Sequence, residues 1–97
     1  MLTLSAKESL ILDFLVGEKE MYGLEFVAAS RRRLKRGTVY VTLGRMEDKG
    51  YIVSRLEPAP PHVGGLPRRL YQSTPLGRRV LRLWRDARGI LLPEFAS

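Results

Sequence analysis

Five cationic side chains crowd the stretch "SRRRLKRG", residues 30 to 37, and Thr38, Val41, Thr42 and Arg45 follow at helical spacing. These residue types bind rather than react. Arg32, Arg33, Lys35 and Arg36 can hold phosphate oxygens, and Thr38 and Thr42 can hydrogen-bond base edges or phosphates. Val41 can touch a thymine methyl, and the fork of Arg45 fits guanine O6 and N7. Chemistry that breaks bonds has no such constellation. The single histidine, His62, sits in a proline-rich loop and reads as a solvated residue, and Glu47 and Asp48 read as ordinary surface acids. No carboxylate pair, Ser–His–Asp arrangement, phosphate-cradling loop or metal-ligand cluster is evident, so neither an enzyme nor a cofactor is expected.

Charge is distributed to match. The chain of 97 residues carries +7 overall, but residues 1 to 30 set Lys7 and Lys19 against five acids for a net −3, which leaves +10 on the remainder. One end is suited to a polyanion and the other need not touch it. The length allows one domain of modest core. No apolar run is long enough for a bilayer and no signal peptide is recognisable. The lack of cysteine fits a reducing cytosol, so a cytoplasmic, nucleoid-associated protein is expected, with no membrane partner.

The elements that must position these side chains follow from spacing. Ser5 and Glu8 form a capping box before a helix to about Glu18, in which Leu10 pairs with Phe14 and Ile11 with Leu15, and Gly17 marks its end. A second helix is expected from Tyr22 to Arg32, with Leu24, Val27 and Ala28 inward and its arginines late, as the helix dipole favours. A third starts near Gly37 or Thr38 and ends at Gly50. "YIVSRLE" (51–57) and "RRLYQS" (68–73) read as strands joined by the loop "PAPPHVGGLP". Thr74 as N-cap and Pro75 at the first position open the last helix.

On the third helix Val39, Leu43 and Met46 fall together as a buried stripe. Val41, Arg45 and Asp48 lie opposite, with Thr38 and Thr42 on one flank, Gly37 and Gly44 on the other, and Tyr40 at the boundary. A helical glycine costs about 1 kcal/mol relative to alanine, so Gly44 asks for a close neighbour. A groove of double-stranded DNA is one such neighbour, and crowding between helices is another. Charge runs are often no more than solvated faces. The alternatives at this point are a protein–protein interaction module with an acidic partner, a non-specific nucleic-acid binder, RNA, or a membrane surface.

"MYGLEFVAAS", "LKRGTVYVTLGRMEDKGYI", "GGLPRRLYQSTPLGRR" and the helix of Trp84 resemble the PadR family of bacterial transcriptional regulators, in order and over nearly the whole chain. The resemblance implies an α+β, mostly helical fold: a winged helix-turn-helix over residues 1–74 with a two-stranded wing, followed by a C-terminal dimerisation helix and tail, 75–97. It further implies a homodimer that binds DNA and usually represses transcription. By the same resemblance the Tyr40 hydroxyl reaches a phosphate, and Arg68 and Arg69 are basic wing residues. Ser73 departs from the family's pattern, which has an apolar residue there. The chain looks like the family's short form, without a large effector-binding domain.

In the last helix Leu76, Val80, Leu83, Trp84, Ala87 and Leu91 form a broad apolar stripe, while Arg78, Arg82, Arg85 and Arg88 point elsewhere. A small core cannot cover both this stripe and the outer positions Leu10 and Phe14. The expected contact set with a symmetry-related copy is therefore Leu10, Phe14, Val80, Leu83, Trp84, Ala87 and Leu91. Two recognition helices would then lie about 34 Å apart on a roughly palindromic operator. Trp84 is read as packing, and a small-molecule effector stays a possible partner without support in the residues.

Overall fold

In the computed structural model, which describes residues 4–17, 19–58 and 67–91 (89–91 in backbone only), the first helix opens on the capping box its sequence requires. The Glu8 N–H donates to Ser5 Oγ at 3.1 Å, and the Ser5 N–H donates to Glu8 Oε1 at 2.9 Å. This helix, α1 (Ala6–Phe14), is shorter than its apolar spacing suggests. The Leu15 N–H closes the last turn on the Ile11 and Leu12 carbonyls, and Gly17 follows at φ +77°. Glu18, the expected end, lies outside the described residues.

A two-residue strand, β1 (Met21–Tyr22), precedes α2 (Gly23–Ala29), and α3 (Arg36–Asp48) follows. Then come β2 (Ile52–Glu57), β3 (Arg68–Ser73) and α4 (Pro75–Leu91). The hairpin is where the sequence placed it, but β1 adds a third strand to the expected pair. The sheet runs β1-β3-β2 and is antiparallel throughout, with Tyr71 opposite Met21 on one side and Ser54 on the other. Alternation puts Ile52, Tyr71, Ser73 and Met21 on the core face, while Tyr22, Arg55, Glu57 and Arg68 share the other. Residues 59–66 of the loop between β2 and β3, with His62, lie outside the described residues.

The core joins Ile11, Leu12 and Leu15 of α1 to Phe26, to Val39, Leu43 and Met46 of α3, and to Ile52 and Tyr71 of the sheet. Phe26 meets the Phe14 and Tyr71 rings, each at 6.4 Å between centroids. In α2 the inner face differs from the sequence reading. Phe26 and Gly23 are buried and Val27 is half-buried, whereas Leu24 (49 % exposed) and Ala28 face outward. A helix of seven residues completes fewer than two turns, so its stripe is set by what it packs on rather than by period.

Two polar links tie distant elements. The Lys49 ammonium, just past α3, donates to the buried carboxylate of Glu8 at 2.7 Å. The Ser73 hydroxyl donates to the Leu15 carbonyl at 3.1 Å and accepts from Arg78, whose guanidinium also donates to the Ser73 carbonyl at 2.9 Å. Ser73 can therefore stand where the family pattern has an apolar residue, because the end of α1 gives its hydroxyl an acceptor.

The start of α4 is set by Thr74, whose Oγ1 accepts the Gly77 N–H at 2.9 Å and donates to the Gly50 carbonyl at 2.6 Å. A Cβ on Gly77 would lie 2.0 Å from the Tyr51 carbonyl oxygen, so only glycine lets the first turn of α4 press on the backbone just before β2. Val80 and Leu81 then enter the core, with Trp84 packed against it.

Candidate nucleic-acid interface

The site begins where α2 stops. Ser30 caps α2, and its buried hydroxyl donates to the Val27 carbonyl at 2.9 Å while accepting the Leu34 N–H at 3.0 Å. Leu34 is fully buried, which fixes the connection at its far end. Between these anchors Arg31 and Arg32 take left-handed backbone, φ 53° and 65°. Arg31, Arg32, Arg33, Lys35 and Arg36 are all exposed. Among the described residues none of their side chains has a hydrogen-bond, ion-pair or ring partner.

Lys35 is the N-cap of α3 and offers no side-chain acceptor to the first turn. The Thr38 and Val39 N–H groups donate to the Lys35 carbonyl at 3.0 and 2.8 Å, and no side chain caps the first turn of this 13-residue helix. Along α3, Val39, Leu43 and Met46 are buried as the spacing predicts. The opposite side presents Val41 (54 % exposed) and Arg45, with Thr38 and Thr42 half-buried beside them. The Thr42 hydroxyl donates to the Thr38 carbonyl at 3.0 Å, so toward an outside group it is an acceptor only. A Cβ built on Gly37 or Gly44 meets nothing within 4 Å. Among the described residues no other helix crowds Gly44, and that side of α3 is open.

Tyr40 is 46 % exposed and lies over the start of α2. Its hydroxyl has no hydrogen-bond partner among the described residues. It shares a cleft of about 510 Å³ with Leu24, Ala28, Pro67, Arg68 and Arg69, which brings α2, α3 and the root of β3 to one place.

The hairpin cations differ from those before α3. Arg68 stacks its guanidinium 4.1 Å from the Tyr22 ring centroid, and the Tyr22 hydroxyl donates to Glu57. That hydrogen bond to Glu57 holds the Tyr22 phenol above its usual pKa. Arg69 donates to Ser54 Oγ at 2.9 Å, and Ser54 donates to Glu47 at 2.7 Å. Arg55 grips Glu20 with two bonds of 2.8 and 2.9 Å. Arg68 and Arg69 are exposed yet already oriented, whereas the cations of residues 31–36 are free. Sequence reasoning missed this distinction, along with Arg31, because no local signal says which arginine finds a partner across the sheet.

On α4 the structure sorts the expected contact set. Val80 is 2 % exposed and packs within the core of the chain itself, unlike the outward-facing residues of that set. Leu10 and Phe14 are half-buried against the same core. Trp84 is half-buried, with the Arg88 guanidinium 4.7 Å from its ring centroid. Leu83 (51 % exposed) and Ala87 face outward in line with Leu76. The side chain of Leu91 lies outside the described residues.

Helices packed ahead of an antiparallel hairpin, with α2 and α3 joined by a short connection and the hairpin beside α3, are the winged helix-turn-helix arrangement. Residues 11–83 match the model of the transcriptional regulator PadR-like family, and the chain belongs to that family of transcriptional regulators. A PadR family regulator from Clostridium difficile R20291 is 30 % identical, with 96 % of this chain and 100 % of that one covered at a TM-score of 0.71. One from Eggerthella lenta is 26 % identical, with coverage of 92 % and 77 % and a TM-score of 0.75. Bacillus subtilis PadR, solved in complex with operator DNA, shares the fold at 22 % identity and a TM-score of 0.72, over 84 % of this chain and 48 % of its own. A comparison with curated proteins finds no match. Among the described residues no helix is long and apolar enough to cross a membrane.

Proposed function

We propose that the protein binds double-stranded DNA as a homodimer and represses transcription, with α3 entering the major groove and the hairpin lying along the backbone. The carrying observation is the outward side of α3. It is uncharged apart from Arg45 and Asp48, open at Gly37 and Gly44, and led in by four cations and its own first residue, Arg36, all without partners among the described residues. A groove about 12 Å wide admits a helix, and small side chains let it sink. Arg32, Arg33, Lys35 and Arg36 would hold phosphates, with Arg68 and Arg69 on the wing, while Tyr40 offers its free hydroxyl to another phosphate. Thr38, Val41, Thr42 and Arg45 would read base edges. The family's Bacillus subtilis member bound to operator DNA supports the same use of the fold.

For the dimer, Leu83, Ala87 and Leu91, with Leu76, would form the self-complementary line along α4, flanked by Leu10, Phe14 and Trp84. That pairing would set two copies of α3 about one helical turn apart, facing a roughly palindromic operator. Titration of a labelled duplex from the protein's own promoter region, over a range of salt, tests the reading. Binding that weakens linearly on logarithmic axes as salt rises, and is tighter than to an unrelated duplex, is expected. Absence of binding at low salt would overturn it in favour of an interaction module.

A further inference from the structure

The connection between α2 and α3 closes as a Schellman motif that lacks its glycine. The Arg32 N–H donates to the Val27 carbonyl and the Arg31 N–H to the Ala28 carbonyl, both at 3.1 Å, with Ser30 as the cap. That pattern places a left-handed residue directly after the cap, where glycine is the common choice because it has no Cβ to clash. Here arginine occupies that position at φ 53°, and a second arginine follows at φ 65°. Both conformations are disfavoured for a residue with a side chain, and such residues persist where the surroundings hold them. The holding groups are the two hydrogen bonds of the Ser30 hydroxyl and the buried Leu34.

The arginine side chains do nothing in return for the fold. Both are exposed, and neither has a hydrogen-bond, ion-pair or ring partner among the described residues. We infer that Arg31 and Arg32 form a phosphate clamp: two guanidinium groups kept on a strained turn because that turn carries them beside the DNA backbone as α3 docks. Glycine in their place would suit the backbone better and bind less well. The inference rests on the DNA reading above and adds Arg31 to the contacting residues, with stability exchanged for binding at one turn.

The test uses the full chain with Arg31→Gly, Arg32→Gly and Arg31→Lys, each measured by thermal unfolding without DNA and by duplex titration across salt. Each glycine variant should unfold about 2–6 °C higher than the wild type. Each should also lose about one unit from the slope of log affinity against log salt. Arg31→Lys keeps both charge and strain, so it should match the wild type in melting and in slope. Glycine variants that melt no higher would show the turn to be unstrained, and variants with the wild-type slope would show the side chains to be idle. Either result overturns the clamp. A wild-type protein that binds no duplex overturns the DNA reading first, and is seen before any variant is compared.

Discussion

The ring of Tyr40 lies across Gly23 so closely that a Cβ on residue 23 would sit 2.4 Å from Tyr40 Cε1 and 2.8 Å from its hydroxyl oxygen. The bare backbone at the start of α2 is thus the seat on which α3 rests its one exposed aromatic side chain. Gly23→Ala should push the ring outward. The ring's far end is free to move, and alanine is the better helix former, so thermal stability should change by no more than about 1 kcal/mol. If the hydroxyl holds a phosphate as proposed, duplex affinity should fall several-fold. Unchanged affinity with a displaced ring would remove Tyr40 from the interface.

Among the described residues Gly44 has no neighbour within 4 Å of a built Cβ. Gly44→Leu should therefore stabilise the protein, by about 1 kcal/mol from helix propensity alone, as read from chemical unfolding. The same side chain would stand between α3 and the groove floor, and duplex affinity should fall at least tenfold. A variant that is more stable and binds as well as the wild type would show that this side of α3 does not enter the groove.

Free and engaged arginines should behave differently on substitution. Arg33→Ala or Arg36→Ala is expected to weaken binding to all duplexes alike and to lower the salt slope by about one. Arg45→Ala should relax preference at particular bases, at about 1–3 kcal/mol if it contacts guanine. Titration of specific and scrambled duplexes separates the two patterns. Identical behaviour at all three positions would contradict the division between backbone-holding and base-reading residues.

Much of this was legible because it is local. The Ser5–Glu8 capping box, the Val39–Leu43–Met46 stripe and the Thr74–Pro75 helix start each need only a few adjacent residues to specify them. What was not legible depends on residues far apart in the chain. Met21 and Tyr22 become a strand only because β3 arrives some fifty residues later to pair with them. Lys49 reaches Glu8, and Tyr40 reaches Gly23, only once the helices have packed. On α4 the apolar stripe is broad enough to serve two neighbours. The packing of α1 decides that Val80 and Leu81 turn inward while Leu83 stays out. The free cations of residues 31–36 and the engaged Arg68 and Arg69 look alike in sequence, since partnership is a property of the folded sheet.

The Glu8–Lys49 link makes stability depend on acid. Burial alone would raise the Glu8 pKa, but the bonds from Lys49 and Ser5 outweigh it and hold the carboxyl below its usual value. A depressed folded-state pKa contributes stability that is complete above the ordinary carboxylate value of 4.5 and is lost as pH falls through the folded value. Lys49→Met should lower stability at neutral pH by about 1–2 kcal/mol, a modest figure because Lys49 is half in solvent. It should also flatten the decline below pH 4.5 in urea melts taken from pH 3 to 7. An acid limb identical to the wild type's would show that the ion pair has no part in it.

The central claim, that two copies of α3 occupy the major groove of one duplex, is tested most directly by methylation interference at guanine N7, an atom exposed only in that groove. The expected result is two clusters of interfering guanines about one helical turn apart, related by a two-fold axis and lost in Gly44→Leu. Tight binding with no interference at any guanine N7 of a guanine-containing site would contradict it.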